Sequence, residues 1–238
     1  MIIRSPAGWC AVYDEIRSKI KSGSLRAESE IHRSQVCPNA SDVDFQRALD
    51  RLKDEGLLKV SDGEEVLIAK PRARSRRTTS FIVDYAKQGR IPSISTILFE
   101  IIPLRKAPEF VVGHLEGAGV DMLVRHLHVQ SVDGEPHAIS DSFVPYDIVK
   151  DKYEDIAREN GDLYRILEEL GYGVTEKEEC LYVDRPTMEE RKMLSIDEMP
   201  ALPIVRLDCV VRSESKIVEL CMLCDRSDLY EFHYKITL

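Results

Sequence analysis

Between residues 40 and 60 the sequence reads ASDVDFQRALDRLKDEGLLKV, and no other stretch constrains the fold as much. Val43, Ala48, Leu49 and Leu52 recur at helical spacing, Ser41 stands where an N-cap belongs, and Gly56 ends the helix before Leu57 and Leu58. An earlier helix is predicted over 8–22, with Trp9, Val12, Ile16 and Ile20 as its apolar stripe and Gly23 closing it. The intervening SLRAESEIHRSQVCPN leaves room for one short helical turn before Pro38 interrupts it. After the long helix, residues 57–69 read as two strands around Ser61-Asp62-Gly63. Three helices and a hairpin make a winged helix-turn-helix.

The tract KPRARSRR, residues 70–77, separates this unit from a second one with longer strands. The expected organisation is a winged helix-turn-helix over 1–69, a basic linker over 70–77 and a second domain over 78–238. Strands are predicted at 95–103, 122–130, 137–144, 178–183, 204–212, 217–224 and 229–236. Helices fit at 108–116, 145–153, 162–170 and 187–194, after a short one ending at Gly89. Turns at Val132-Asp133-Gly134 and Arg212-Ser213-Glu214 join neighbouring strands, which favours an antiparallel sheet with helices on one side. The fold class is α+β.

Charge changes sign at the linker. Residues 1–77 hold 15 Lys+Arg against 12 Asp+Glu, a balance of +3, whereas residues 78–238 hold 18 against 30, a balance of −12, together the net −9. Without the arginine tract the first 69 residues stand at 10 against 12, so the helical core itself is not basic. Binding to nucleic acid normally rests on phosphate neutralisation by Lys and Arg, which makes the linker arginines the candidate backbone contacts. No run reaches 18 apolar residues, and MIIRSPAGW lacks the pattern of a secretory signal, so a cytoplasmic protein with no membrane partner is expected. Six scattered cysteines in a chain of this size predict reduced thiols.

Catalytic signatures are absent from the sequence: it has no phosphate-binding glycine loop, Walker motif or nucleophile elbow. Cys221-Met-Leu-Cys224 has CxxC spacing, yet no second pair completes a zinc site, and residues three apart on a strand face opposite ways. The chain is therefore read as a non-enzyme without cofactor or metal. His126, His128 and Gln130 alternate on one face of a predicted strand, with Arg125 and Leu127 on the other.

Several segments, in order, resemble the GntR family of bacterial transcription regulators, in the branch whose second domain is the ligand-sensing UTRA domain. They are RALDRLKDEGLL, SFIVDYAKQGRIPSISTIL, VDGEPHAISDSFVP, LYRILEELGYGV and DLYEFHYKI. The resemblance covers nearly the whole chain and implies a chorismate-lyase-like second domain. It also implies a dimeric repressor whose operator affinity a small metabolite changes. By that resemblance the effector would meet Ser93, Ser95, Thr96, Tyr164 and Tyr230, with His126 and His128 where the family carries a basic pair; counting back from Gly134 without a gap lands instead on His128 and Gln130. Imidazoles bring no full charge near neutral pH, so a weaker preference for anionic effectors than in the family's sugar-phosphate sensors is expected. DNA would meet Ser41, Gln46, Arg47, Arg72 and Arg74.

The first domain departs from the family pattern. Asp42 and Asp44 stand where the family's recognition helix carries an arginine and a threonine, Gln46 replaces a second arginine, and the wing carries Asp62, Glu64 and Glu65. Carboxylates beside phosphates weaken binding. The alternative expectation is a ligand-sensing dimer whose winged helix has lost specific DNA binding and serves protein contact.

Overall fold

The computed structural model describes residues 8–22, 24–25, 29–61, 64–67, 73–74, 80–158, 162–197 and 199–232. The chain divides into two compact units. One comprises residues 1–73, 196–202 and 228–231, and the other residues 74–195, 203–227 and 232–238. The turn expected at Asp62-Gly63, the helix stop at Gly23, Arg72, Arg76, Arg77 and the end of the last expected strand lie outside the described residues.

In the first unit α1 (Trp9–Lys21), α2 (Arg33–Val36) and α3 (Asp42–Asp54) precede the antiparallel strands β1 (Leu58–Ser61) and β2 (Glu64–Leu67). Leu58 pairs with Leu67 and Ser61 with Glu64. Val12 and Ile16 of α1 pack with Val36, Cys37, Phe45, Ala48, Leu49, Leu52 and Leu58. The apolar stripe of α3 therefore begins at Phe45, while Val43 is 68% exposed. The expectation erred because Val43 lies about half a turn from the Ala48–Leu52 face, whereas Phe45 sits three and four residues before Ala48 and Leu49.

Ser41 caps α3 by accepting from the Asp44 N–H at 3.1 Å, and its hydroxyl donates to Asp44 Oδ2 at 2.7 Å. At the other end Gly56 has φ +72°; its N–H reaches Lys53 O at 2.8 Å and the Leu57 N–H reaches Leu52 O at 2.9 Å. These two bonds form a Schellman motif, and they need a residue that accepts the left-handed region. Gly56→Ala is expected to destabilise the first unit by about 1–2 kcal/mol, read as a lower urea midpoint at unchanged slope.

The second unit is built on a six-stranded sheet in the order β4-β5-β6-β9-β8-β7, with every adjacent pair antiparallel. The short β3 (Ala73–Arg74) and α4 (Phe81–Ala86) lead into β4 (Pro92–Pro103), α5 (Glu109–Leu115), β5 (Met122–Val132) and β6 (Glu135–Pro145). Next come α6 (Tyr146–Val149), α7 (Tyr153–Ile156), α8 (Leu163–Glu169), β7 (Glu176–Asp184) and α9 (Met188–Met193). β8 (Ile204–Ser213) and β9 (Lys216–Arg226) complete this unit, and the two-residue β10 (Tyr230–Glu231) falls in the first. Asp133 and Gly134, with φ of 51° and 81°, make the tight turn between β5 and β6 that the Asp-Gly pair predicted.

Helices cover both faces of this sheet. Val111 and Leu115 of α5 pack with Leu123, Phe143, Val210 and Leu220 on one side. On the other, Ile148, Val149, Ile156, Ile166 and Leu167 of α6, α7 and α8 pack with Val124, Val144 and Val211. The expected one-sided arrangement is thus corrected, because β5 and β6 carry apolar residues at both parities. The single helix expected over 145–153 is also two: a turn at Asp151 and Lys152 separates α6 from α7.

Candidate functional site

Strand register decides which side chains meet. Across β5, β6 and β9, His126 stands opposite Ser142 and Ser142 opposite Cys221; His128 stands opposite Ser140 and Ser140 opposite Leu223. These residues share the sheet face covered by α7 and α8. Together with Ser80, Phe81 and Ile82 at the start of α4, and with Ile94, Gln130, Ile156, Asp162, Leu163, Tyr164, Lys177 and Glu219, they line a cavity. The centre of a water-sized sphere has ≈ 90 Å³ to move in it, room for several waters or one small metabolite.

Its polar wall is closely bonded. Thr96 Oγ1 lies 2.9 Å from His126 Nε2, whose ring packs edge-on against Phe99 at 5.6 Å and lies 4.3 Å from the His128 ring. Burial pushes the His126 pKa down to about 4, with Asp141 opposing the shift, so the imidazole is neutral near pH 7. Ser142 Oγ donates to Glu219 Oε1 at 2.6 Å. Tyr164 is half-buried as a residue, yet its phenol oxygen is enclosed. Burial first, and then Glu219, hold that phenol well above its usual pKa, so it keeps its proton and hydrogen-bonds the Glu219 carboxylate. Ser80, the α4 cap, donates to Asp162 Oδ2 at 3.0 Å, and Asp162 Oδ1 caps α8 through the Tyr164 and Arg165 N–H groups. Lys177 pairs with Glu179 at 2.7 Å.

Of the residues singled out by sequence, His126, His128 and Tyr164 line this cavity and Thr96 bonds His126. Ser93 and Ser95 sit opposite Ser131 and Val129, alternating with Ile94 opposite Gln130, so they lie on the other face of β4. Tyr230 is buried on β10 and is not among the lining residues. Sequence reasoning missed Ser140, Ser142 and Glu219. Ser-Asp-Ser and Glu-Leu-Cys both alternate with period two, but only the pairing of β6 with β9 shows that they meet. The Ser80–Asp162 link spans 82 residues and left no sequence signal. Cys221 and Cys224 are both buried thiols with pKa values pushed up mainly by burial, and Cys221 alone of the two lines the cavity. No disulfide joins any of the six cysteines.

In the first unit the exposed residues of α3 are Asp42, Val43, Gln46, Arg47, Asp50 and Arg51, with Ser41 just before them. Positions 43, 46, 47 and 50 form one helical face. Asp42 Oδ1 meets Arg33 Nε at 2.9 Å, and Gln46 Nε2 donates to Asp50 Oδ1 at 3.1 Å. Arg33 also holds Ala40 O at 2.7 Å, tying α2 to the start of α3. Asp44 is occupied by the helix cap. For Arg74, Glu64 and Glu65 only the backbone is described. No helix among the described residues is long and apolar enough to cross a membrane.

The sequence matches the UTRA domain over residues 87–231. No curated protein matches it. Among solved structures, PhnF from Mycobacterium smegmatis superposes with a TM-score of 0.63 at 18% identity, covering 95% of this chain and 99% of that one. The C-terminal domain of the histidine utilization repressor from Pseudomonas syringae pv. tomato gives 0.51 at 18% identity over 62% of this chain and 99% of that one. A GntR-family transcriptional regulator from Bacillus cereus gives 0.50 at 17% identity, over 61% and 99%. At these identities the superpositions speak for the fold. The domain match spans well over half of the 238 residues, and the chain therefore belongs to the family of UTRA-domain proteins.

Proposed function

We propose that this chain is an effector-regulated, DNA-binding transcription regulator: a homodimeric repressor whose operator affinity falls when a small metabolite enters the second unit. The observation that carries this reading is the cavity walled by neutral His126, Tyr164 and the serines, in a chain that also holds a three-helix unit with a hairpin. Two relatives of like fold are named for transcriptional regulation, one of them a repressor. The effector would be held by Thr96, His126, His128 and Tyr164, with Ser93, Ser95 and Tyr230 as the further candidates that the sequence offers. Ser41, Gln46 and Arg47 would meet DNA from α3, and Arg72 and Arg74 from the linker. A ligand can shift the DNA affinity only through its different affinities for two states of the protein.

A second reading is favoured by one specific observation. Asp42, at the start of the helix that would read bases, neutralises Arg33, the nearest cation described. In that reading the winged helix no longer binds DNA specifically and serves protein contact. The two readings separate on Asp42→Asn. In a DNA-binding protein it frees Arg33 for a phosphate and is expected to raise affinity for a retained operator fragment about fivefold at physiological salt, with a steeper salt dependence; a protein-contact module shows neither change. Native mass spectrometry of the chain purified from its own cells tests the proposal as a whole. It should show a dimer carrying a small molecule, and a ligand-free monomer is the contrary result.

A further inference from the structure

Gln130 brings to the cavity wall a polar atom outside the proposed effector-holding set. Gln130 is 7% exposed and lines the cavity, and its Oε1 is buried without a hydrogen-bond partner. The other end of the amide, Nε2, lies 3.3 Å from His128 Nε2. A buried acceptor left unbonded costs about 1–3 kcal/mol, which a ligand that donates to it recovers on binding. With Nε2 directed at the imidazole nitrogen, Oε1 is the end left for a ligand, and a carbonyl oxygen can only accept. Gln130 therefore presents a specific, uncharged anchor point at the end of the His126–His128–Gln130 row.

The charges around that anchor argue against an anion. Among the described residues no arginine lines the cavity, and its lysine, Lys177, is paired with Glu179. Two carboxylates line it: Glu219 accepts from Ser142 and Tyr164, and Asp162 accepts from Ser80 and from the N–H groups of Tyr164 and Arg165. A phosphate would give up its hydration to sit among these carboxylates and the neutral His126 imidazole, where no described residue offers bidentate guanidinium support. Resting on the reading of this cavity as the effector site, we propose that it selects a neutral, unphosphorylated polar molecule, and that Gln130 sets this specificity by accepting a hydrogen bond from the ligand. Hydroxyl and amide N–H groups are the donors that fit.

The test uses the full chain and matched probes: glucose, ribose, glycerol and inositol, each beside its monophosphate, by thermal shift and then calorimetric titration. Binding is expected from at least one unphosphorylated member, at least about tenfold tighter than its phosphate. Gln130→Leu should weaken that binding about tenfold while leaving the ligand-free melting temperature unchanged or higher, because the orphaned acceptor is gone. Tighter binding of a phosphate overturns the inference, as does a failure of every unphosphorylated probe. It is equally overturned if Gln130→Leu lowers the ligand-free melting temperature and leaves affinity intact, the signature of an amide that serves only packing or a trapped water. Retention of genomic DNA by ligand-free protein is scored separately, so a failed regulator reading is told apart from a wrong ligand class.

Discussion

Phe143→Ala is expected to destabilise the second unit by about 3–5 kcal/mol, the usual loss for an aromatic removed from a sealed core. Phe143 has 0% exposure and packs with Leu115, Leu123, Val210 and Leu220 under α5. The Arg125 guanidinium lies 5.6 Å from the centre of its ring, held in turn by Asp141 at 2.9 and 3.0 Å. Truncation removes the apolar burial, opens a void and takes the ring from under the Arg125 guanidinium. Because Ser142 is the next residue along β6 and faces the opposite way, the damage reaches the cavity wall through the strand rather than through direct contact. Urea titration reads the loss as a lower midpoint at unchanged slope. Phe143→Leu, which keeps most of the volume, should cost less than half as much. A loss below about 1 kcal/mol for the alanine variant would mean that the α5 side of the sheet is not sealed as described.

The second large effect is a pH dependence carried by His126. Its pKa in the folded protein is about 4, against about 6.5 in an unfolded chain. Between these values the unfolded chain holds a proton on this ring that the folded protein does not, so stability rises with pH through the window and is level above it. Acidification from pH 7 to pH 4 should therefore remove roughly 3 kcal/mol through this residue alone. The cause is burial of a neutral ring among Phe99, His128 and Thr96, with Asp141 only partly opposing it. Carboxylates titrate over the lower part of the same range, so the informative quantity is the difference between the native chain and His126→Gln. That variant should be flatter from pH 4 to 6.5, measured by urea midpoints at half-unit steps. Parallel curves would contradict a buried neutral imidazole.

Local signals carried most of the architecture. Ser41 and Gly56 mark the ends of α3 because a cap and a left-handed residue are written in one or two side chains. Asp133-Gly134 fixed the β5–β6 turn for the same reason. What needed the folded chain was parity. Val43 reads as part of an apolar helix face until Phe45 is seen to fill the core. Ser93, Ser95 and Thr96 all suit a hydroxyl-lined cavity, yet a strand presents alternate residues, and the register with β5 selects Thr96 beside His126. The irregular pairing between Thr96 and Leu98 then changes the parity for the rest of β4. Glu219 and Ser142, 77 residues apart, meet only because β9 rather than a sequence neighbour lies beside β6. Long-range pairing of that kind is set by how two faces bury together, and it leaves no trace at either position.

The chemistry of the first unit was legible in a different sense. Substituting Asp42 and Asp44 into a helix that should approach phosphates is visible in the sequence, and the structure adds what they do instead. Asp44 stabilises the helix start together with Ser41, while Asp42 holds Arg33. Both carboxylates thus have structural employment in the first turn of α3, where acidic residues suit the helix dipole. The row of Val43, Gln46, Arg47 and Asp50 is exposed, with Gln46 bonded to Asp50 within it. An apolar methyl can meet a thymine methyl, and glutamine can read adenine, so the row is compatible with bases even though it is poor in charge.

The central claim is that DNA recognition and metabolite sensing share this chain, and it is tested most directly by retention of fragments of its own genome on the full-length, ligand-free protein across a salt series. The account predicts a small set of retained fragments whose affinity falls steeply with salt and falls further when the copurifying small molecule is added back. Retention of no fragment above background at low salt, or retention indifferent to sequence and to the small molecule, would contradict it.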